Sequence, residues 1–145
     1  MKKYQSGHVV GDEHETLIID GTNKSDSINT GGGAQYVIAD NGSDYIFSGG
    51  GPDVVEGQNG NDTILGGGGP DKLFGNNGSD LIIGGPGPDE LNGGNGSDTL
   101  EGGAALDILT GGQGMDVFVF DVHSTEDEGH AELISVRDYS EDNDH

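Results

Sequence analysis

Residues 57–101 read GQNGNDTIL-GGGGPDKLF-GNNGSDLII-GGPGPDELN-GGNGSDTLE, five nonapeptides whose sixth residues are Asp62, Asp71, Asp80, Asp89 and Asp98. The phase continues outward in both directions without an insertion, so that Gly21 to Val119 divides into eleven nonapeptides. A repeat held in phase over this length settles the architecture. The sixth position runs Asp26, Gln35, Asp44, Asp53, Asp62, Asp71, Asp80, Asp89, Asp98, Asp107 and Asp116. The eighth is apolar throughout: Ile28, Val37, Ile46, Val55, Ile64, Leu73, Ile82, Leu91, Leu100, Leu109 and Phe118. Position four is Gly except at Lys24 and Ala105. Compositional bias does not preserve phase over such a run, so the period is structural rather than low complexity.

A second alternation lies on the first. Position three is Asn in the first five odd repeats (Asn23, Asn41, Asn59, Asn77, Asn95) and Gly, Pro or Ala in the even ones (Gly32, Gly50, Gly68, Pro86, Ala104). Position five follows it, with Ser25, Ser43, Asn61, Ser79 and Ser97 against Ala34, Pro52, Pro70, Pro88 and Leu106. The unit is therefore eighteen residues, two short strands and two Gly-rich turns. This predicts an all-β flattened coil in which each strand stacks on the strand eighteen residues later, at ~4.8 Å, in two parallel sheets. Positions seven, eight and nine alternate faces, which sends position eight inward and its neighbours to solvent.

Composition narrows the function classes. The 145 residues include 27 acidic against 5 basic side chains, a formal charge of −22, so nucleic acid and anionic lipid would both repel the chain. With no Cys there is no disulfide framework and no thiolate metal site. No stretch approaches ~18 apolar residues, and no apolar run follows Lys2-Lys3, so neither a membrane span nor a Sec signal is expected in these residues.

One inward side chain per nonapeptide buries less apolar surface than ordering nine residues requires, so the turns must contribute. Stacking places Asp44, Asp62, Asp80 and Asp98 down one edge, and Asp53, Asp71, Asp89 and Asp107 down the other. Like charges ~5–6 Å apart cost on the order of 1 kcal/mol per pair even in water. A divalent cation between successive aspartates reverses that sign, and inward carbonyls of the Gly-rich turns would complete an all-oxygen shell. Such a shell suits calcium better than magnesium, and zinc is disfavoured because the repeats lack nitrogen and sulfur ligands. All five histidines, His8, His14, His123, His130 and His145, lie outside the repeats. Asx-turn capping without metal is the alternative role for the aspartates; it predicts mixed Asp, Asn and Ser at position six, which is not the pattern observed.

Gly66 to Phe74 (GGGGPDKLF), Gly93 to Glu101 (GGNGSDTLE) and Gly111 to Val119 (GGQGMDVFV) spell Gly-Gly-x-Gly-x-Asp-x-apolar-x. The chain resembles the RTX, or hemolysin-type, calcium-binding repeat family over about two thirds of its length. The array's exit at Asp116-Val117-Phe118-Val119-Phe120-Asp121 is similar to the family's. The resemblance implies a parallel β-roll, a β-solenoid with calcium held between turns two repeats apart. One turn would give the carbonyls of positions two and four plus its Asp; the turn eighteen residues on would give those of positions one and three plus its Asp.

Carried onto this chain, the resemblance implies that Asp40, Gly42 and Asp44 join Gly57, Asn59 and Asp62, with Asp26 the first carboxylate of that edge. Next come Gln58, Gly60 and Asp62 with Gly75, Asn77 and Asp80, then Asn76, Gly78 and Asp80 with Gly93, Asn95 and Asp98, then Gly94, Gly96 and Asp98 with Gly111, Gln113 and Asp116. On the opposite edge Gly49, Gly51 and Asp53 would meet Gly66, Gly68 and Asp71, Gly67, Gly69 and Asp71 would meet Gly84, Pro86 and Asp89, and Gly85, Gly87 and Asp89 would meet Gly102, Ala104 and Asp107. Gln35 removes one site, and Lys24 puts a positive charge in the turn of Asp26. The expectation is six to eight ions; eight of charge +2 would take the formal charge from −22 to −6.

The flanks divide the chain into an N-terminal cap (1–20), the array (21–119) and a C-terminal capping segment (120–145). Thr16 to Ile19 reads as a strand with Ile19 inward, Val9-Val10 as another, and 121–132 as a charged linker. Tyr45, Phe47, Thr63, Leu65, Leu81 and Ile83 form an outward, largely apolar face, which we expect the strand candidate Leu133 to Tyr139 to cover, the alternative being a partner or another domain. Leu133 to Tyr139 also resembles the family's post-array segment.

No catalytic constellation is encoded: Gly-x-Ser-x-Gly and His-Glu-x-x-His are absent, so the chain is expected not to be an enzyme. Regular outward Thr ladders, which ice binding would need, are missing. The resemblance implies a calcium-triggered folding module of a larger protein that leaves bacteria by type I secretion and folds outside the cell. Other parent domains or the secretion apparatus would be its partners. The entirely polar end, Ser140 to His145, suggests a truncated piece of such a parent. A polysaccharide-binding repeat module of a secreted glycan-modifying enzyme or adhesin is the alternative, although Lys24, Lys72 and Arg137 are the few basic groups near the array.

Overall fold

The computed structural model describes residues 2–5, 8–10, 17–120 and 135–137. The chain winds as a β-solenoid of two parallel sheets, and no helix occurs among the described residues. Even nonapeptides supply β5 (Gln35–Asp40), β7 (Val54–Asn59), β9 (Lys72–Asn77), β11 (Glu90–Asn95) and β13 (Ile108–Gln113) to one sheet. Odd ones supply β4 (Ser27–Asn29), β6 (Tyr45–Gly50), β8 (Thr63–Gly68), β10 (Leu81–Pro86), β12 (Thr99–Ala104) and β14 (Val117–Val119) to the other. The register is the eighteen-residue one: Val55 pairs with Leu73, Leu73 with Leu91, Ile64 with Ile82 and Ile82 with Leu100.

The flanks extend this stack. β1 (Lys2–Gln5) and β3 (Leu17–Thr22) continue the first sheet and β2 (His8–Val10) the second. Ile19 is fully buried and pairs with Val37, as its phase requires. Leu133 to Tyr139 departs from expectation. Its described part, β15 (Ser135–Arg137), pairs with β13 at the edge of the first sheet, Val136 in register with Leu109. That strand therefore lengthens the solenoid and does not lie over the outward face of the second sheet, because a free parallel edge offers it a full ladder of hydrogen bonds that a sheet face cannot. Tyr45 remains 50 % exposed on that face. His14, His123, His130, His145 and the linker 121–132 lie outside the described residues.

Strands run longer than positions seven to nine. Most continue through positions one to three of the next repeat, so the alternation places two residues of each strand inward, at position eight and at position one. Position eight is the apolar core, fully buried from Ile28 to Leu109, with Phe118 packed against its end. Position one holds only Gly, Ala, Ser or Thr, and of these Ala39 joins the core.

The turns account for the odd–even alternation. On the odd edge the amide of Asn59 donates to Asn41, Asn77 to Asn59 and Asn95 to Asn77, at 2.8–2.9 Å. At position five of the same turns each backbone N–H finds the side-chain oxygen eighteen residues earlier, as Ser79 N does on Asn61 Oδ1 at 2.9 Å. Pro52, Pro70 and Pro88 hold position five on the other edge, where a residue without N–H needs no such acceptor.

Leu73 sits fully buried between Val55 and Leu91. Leu73→Ala is expected to lower stability by about 2–5 kcal/mol in urea unfolding at saturating calcium. A loss below about 0.5 kcal/mol would mean that position eight is not the core.

Candidate metal centre

Every turn from Asp44 on treats its aspartate alike. One oxygen, Oδ1, accepts the backbone N–H of the residue eighteen positions earlier: Asp62 Oδ1 from Asp44 N, Asp71 from Asp53, Asp80 from Asp62, Asp98 from Asp80, at 2.8–2.9 Å. The other oxygen, Oδ2, is buried without a hydrogen-bond partner at Asp44, Asp62, Asp71, Asp80, Asp89, Asp98 and Asp116, and Ser48 stands beside the Asp53 carboxylate as a side-chain donor. A buried carboxylate oxygen without a donor costs several kcal/mol unless a cation meets it, and seven in register point to one cause.

The surroundings of Oδ2 are oxygens. A Cβ placed on Gly57 would collide with Asp62 Oδ2 and stand 3.0 Å from the Gly75 carbonyl; on Gly84 it would meet Asp89 Oδ2 and lie 2.5 Å from the Gly102 carbonyl. Position-one carbonyls thus face back toward the preceding turn on the same edge. Carbonyls at positions two and four face forward into the same gap, since a Cβ on Gly67 would strike the Gly49 oxygen and one on Gly78 the Gly60 oxygen. Position-three carbonyls also face it, each accepting a position-four N–H across the gap, such as Gly60 N on Asn77 O and Gly69 N on Pro86 O, both 2.9 Å. Forward-facing carbonyls require a left-handed backbone, which is why positions two and four are mostly Gly. Asp40, Gln58 and Asn76 reach it at φ of 72–80°, and Ala105 is held at φ 116°.

The gap between Asp62 and Asp80 is thereby lined by the carbonyls of Gln58, Gly60, Gly75 and Asn77 and by both carboxylates. The same position-four to position-three hydrogen bond recurs in the other turns, from Gly42 on Asn59 to Gly96 on Gln113. Among the described residues no three acidic or histidine side chains converge, because each gap draws carboxylates from two turns only and takes its remaining oxygens from backbone. These residues fit a hard divalent cation, which supplies the counter-charge that two facing carboxylates lack. Asp26 differs: Thr22 donates its N–H to Oδ2 and its hydroxyl to Oδ1, so both oxygens are satisfied within the turn. Gln35 turns its Nε2 onto the Gly32 carbonyl at 2.7 Å.

Sequence reasoning gave position one a carbonyl role and missed its inward side. It is inward and adjoins Oδ2, and its restriction to Gly, Ala, Ser and Thr is the signal that could have shown this.

A family model for the RTX calcium-binding nonapeptide repeat matches the chain four times, at residues 20–55, 38–73, 56–91 and 83–118. No curated protein and no solved structure matches it. The stacked coils, the aspartate columns and these matches define the class: the chain belongs to the RTX calcium-binding nonapeptide repeat family.

Without a cation, burial is the main cause that raises the carboxyls, to about 6 at Asp44 and Asp53 and about 7 at Asp80 and Asp89. The N–H on Oδ1 opposes it, and neighbouring carboxylates of the column add to it, Asp62 and Asp98 for Asp80. An unfolded Asp titrates near ~3.9, so the metal-free fold holds its protons more tightly than the unfolded chain. Its stability is full below pH ~4 and is lost as pH rises through 6 to 7. In chelator, far-ultraviolet circular dichroism should therefore show more β-structure at pH ~4.5 than at pH ~8. A β signal that declines on acidification would contradict this.

Proposed function

We propose that the chain is a calcium-triggered folding module, without catalysis of its own, within a larger bacterial protein exported by type I secretion. The observation that carries this reading is the row of buried Asp oxygens without donors, which makes the folded state dependent on counter-charge. In cytosol, where free calcium is scarce, the two carboxylate columns oppose folding, and the chain stays extended enough to pass an export channel. Outside the cell, at ~1 mM calcium, sites with Kd of ~10⁻⁴–10⁻³ M fill and the coils close. Folding after exit then opposes backsliding. Family membership supports the calcium assignment. The net charge of −22 supports the requirement for several divalent ions.

The test is a titration of the chelator-treated chain at pH ~7.5, followed by far-ultraviolet circular dichroism, with magnesium as control. The expected outcome is a steep transition from coil to β with calcium in the millimolar range and none with magnesium at the same concentration. A β spectrum already complete in chelator at that pH would remove the switch and leave the aspartates as turn caps.

A further inference from the structure

Position one is where the array changes along its length. From Gly57 onward it is glycine in every repeat, whereas the three repeats before carry Thr30, Ala39 and Ser48. At Gly57, Gly66, Gly75, Gly84 and Gly93 the missing side chain leaves a space flanked by two oxygens. One is Oδ2 of the turn's own aspartate; the other is the position-one carbonyl eighteen residues on, 2.5–3.0 Å from where a Cβ would stand.

Ser48 fills that space. Its hydroxyl donates to the Gly66 carbonyl at 2.8 Å, the oxygen that in later turns is left facing the carboxylate. One coil earlier, Thr30 donates in the same way to the Ser48 carbonyl at 2.5 Å, in the turn where Gln35 replaces aspartate. Ala39 puts a fully buried methyl at this position in the turn of Asp44. The first turn keeps Gly21, but Thr22 has already satisfied Asp26. Three successive turns thus place a hydroxyl or a methyl where the later turns place nothing, and the turn before them satisfies its aspartate from Thr22.

A calcium shell needs six to eight oxygens at roughly 2.3–2.6 Å. The Ser48 hydroxyl, held on the Gly66 carbonyl, and the Ala39 methyl each put an atom in the space that glycine leaves open, and exclude the ion by volume. We propose that the residue at position one decides whether the gap above its turn takes a cation. Glycine opens the gap; a hydroxyl or methyl closes it. Five gaps, those above Gly57, Gly66, Gly75, Gly84 and Gly93, then load with calcium. The turns from Gly21 to Asp53 then carry no cation in the gaps above them, and the loaded coils stack on this end. This inference rests on the calcium reading above and specifies which of its sites are real.

Equilibrium dialysis of the full chain at saturating calcium, in excess magnesium to suppress loose surface binding, counts bound calcium by atomic emission. Five ions per chain are expected, rising to six in Ser48→Gly and falling to four in Gly66→Ser, which rebuilds the Ser48 arrangement one coil on. Circular dichroism checks that each variant is folded, and Ser48→Gly alone decides if Gly66→Ser is not. A non-zero wild-type count other than five, or a Ser48→Gly count that does not rise, overturns the proposal and leaves calcium binding standing. A wild-type chain that binds no calcium overturns both.

Discussion

Carboxylates stacked at the strand repeat and buried between coils repel one another, and Asp62, Asp71, Asp80, Asp89 and Asp98 each receive one backbone donor. The remaining oxygen of each must be met by a proton or by a cation. The rest of the architecture follows from providing for the cation. Carbonyls must turn into the gap, which needs left-handed backbone at two positions per turn and therefore glycine. Glycine-rich turns leave room for one apolar side chain per repeat, so the core is a single file from Ile19 to Leu109. A chain with 30 glycines is costly to order, and the thin core does not offset that cost alone.

Much of this was legible because a period is a stronger signal than any local propensity. Position eight, position six and the eighteen-residue alternation fixed the two sheets, their register and the two aspartate edges before any coordinate. Strand length was harder: glycine at positions one to three reads as turn, yet the ladder continues through Gly67 and Gly85, because a flat coil pairs every backbone group it can. The inward role of position one went unseen for the same reason, since glycine has no side chain to declare a face. Asp26 matches the repeat in sequence, and only the neighbouring Thr22 shows that its carboxylate is already satisfied. Leu133 to Tyr139 was placed on a face because the apolar patch called for a cover. A free edge competes for the same segment, and sequence alone does not rank the two.

Each gap joins a turn only to its neighbour on the same edge, yet every coil takes part in both edges. Filling one gap fixes two turns and the strands between them, which brings the opposite edge into register for its own ion. Stability in such a stack is a sum of nearest-neighbour terms, so order spreads from an end that is already formed. The amide ladder from Asn41 to Asn95 and the side-chain acceptors at position five hold the odd edge without metal, whereas the proline-bearing edge has no equivalent. The two edges therefore differ in how much of their cohesion depends on the cation.

The most direct measurement is a crystal structure of the chain grown in calcium, with anomalous diffraction to locate the ions. The account predicts anomalous peaks in the gaps between Asp62 and Asp80 and between Asp71 and Asp89, each about 2.3–2.6 Å from a carboxylate Oδ2. Oδ2 atoms met there by water or by protein donors, with no anomalous signal, would contradict it.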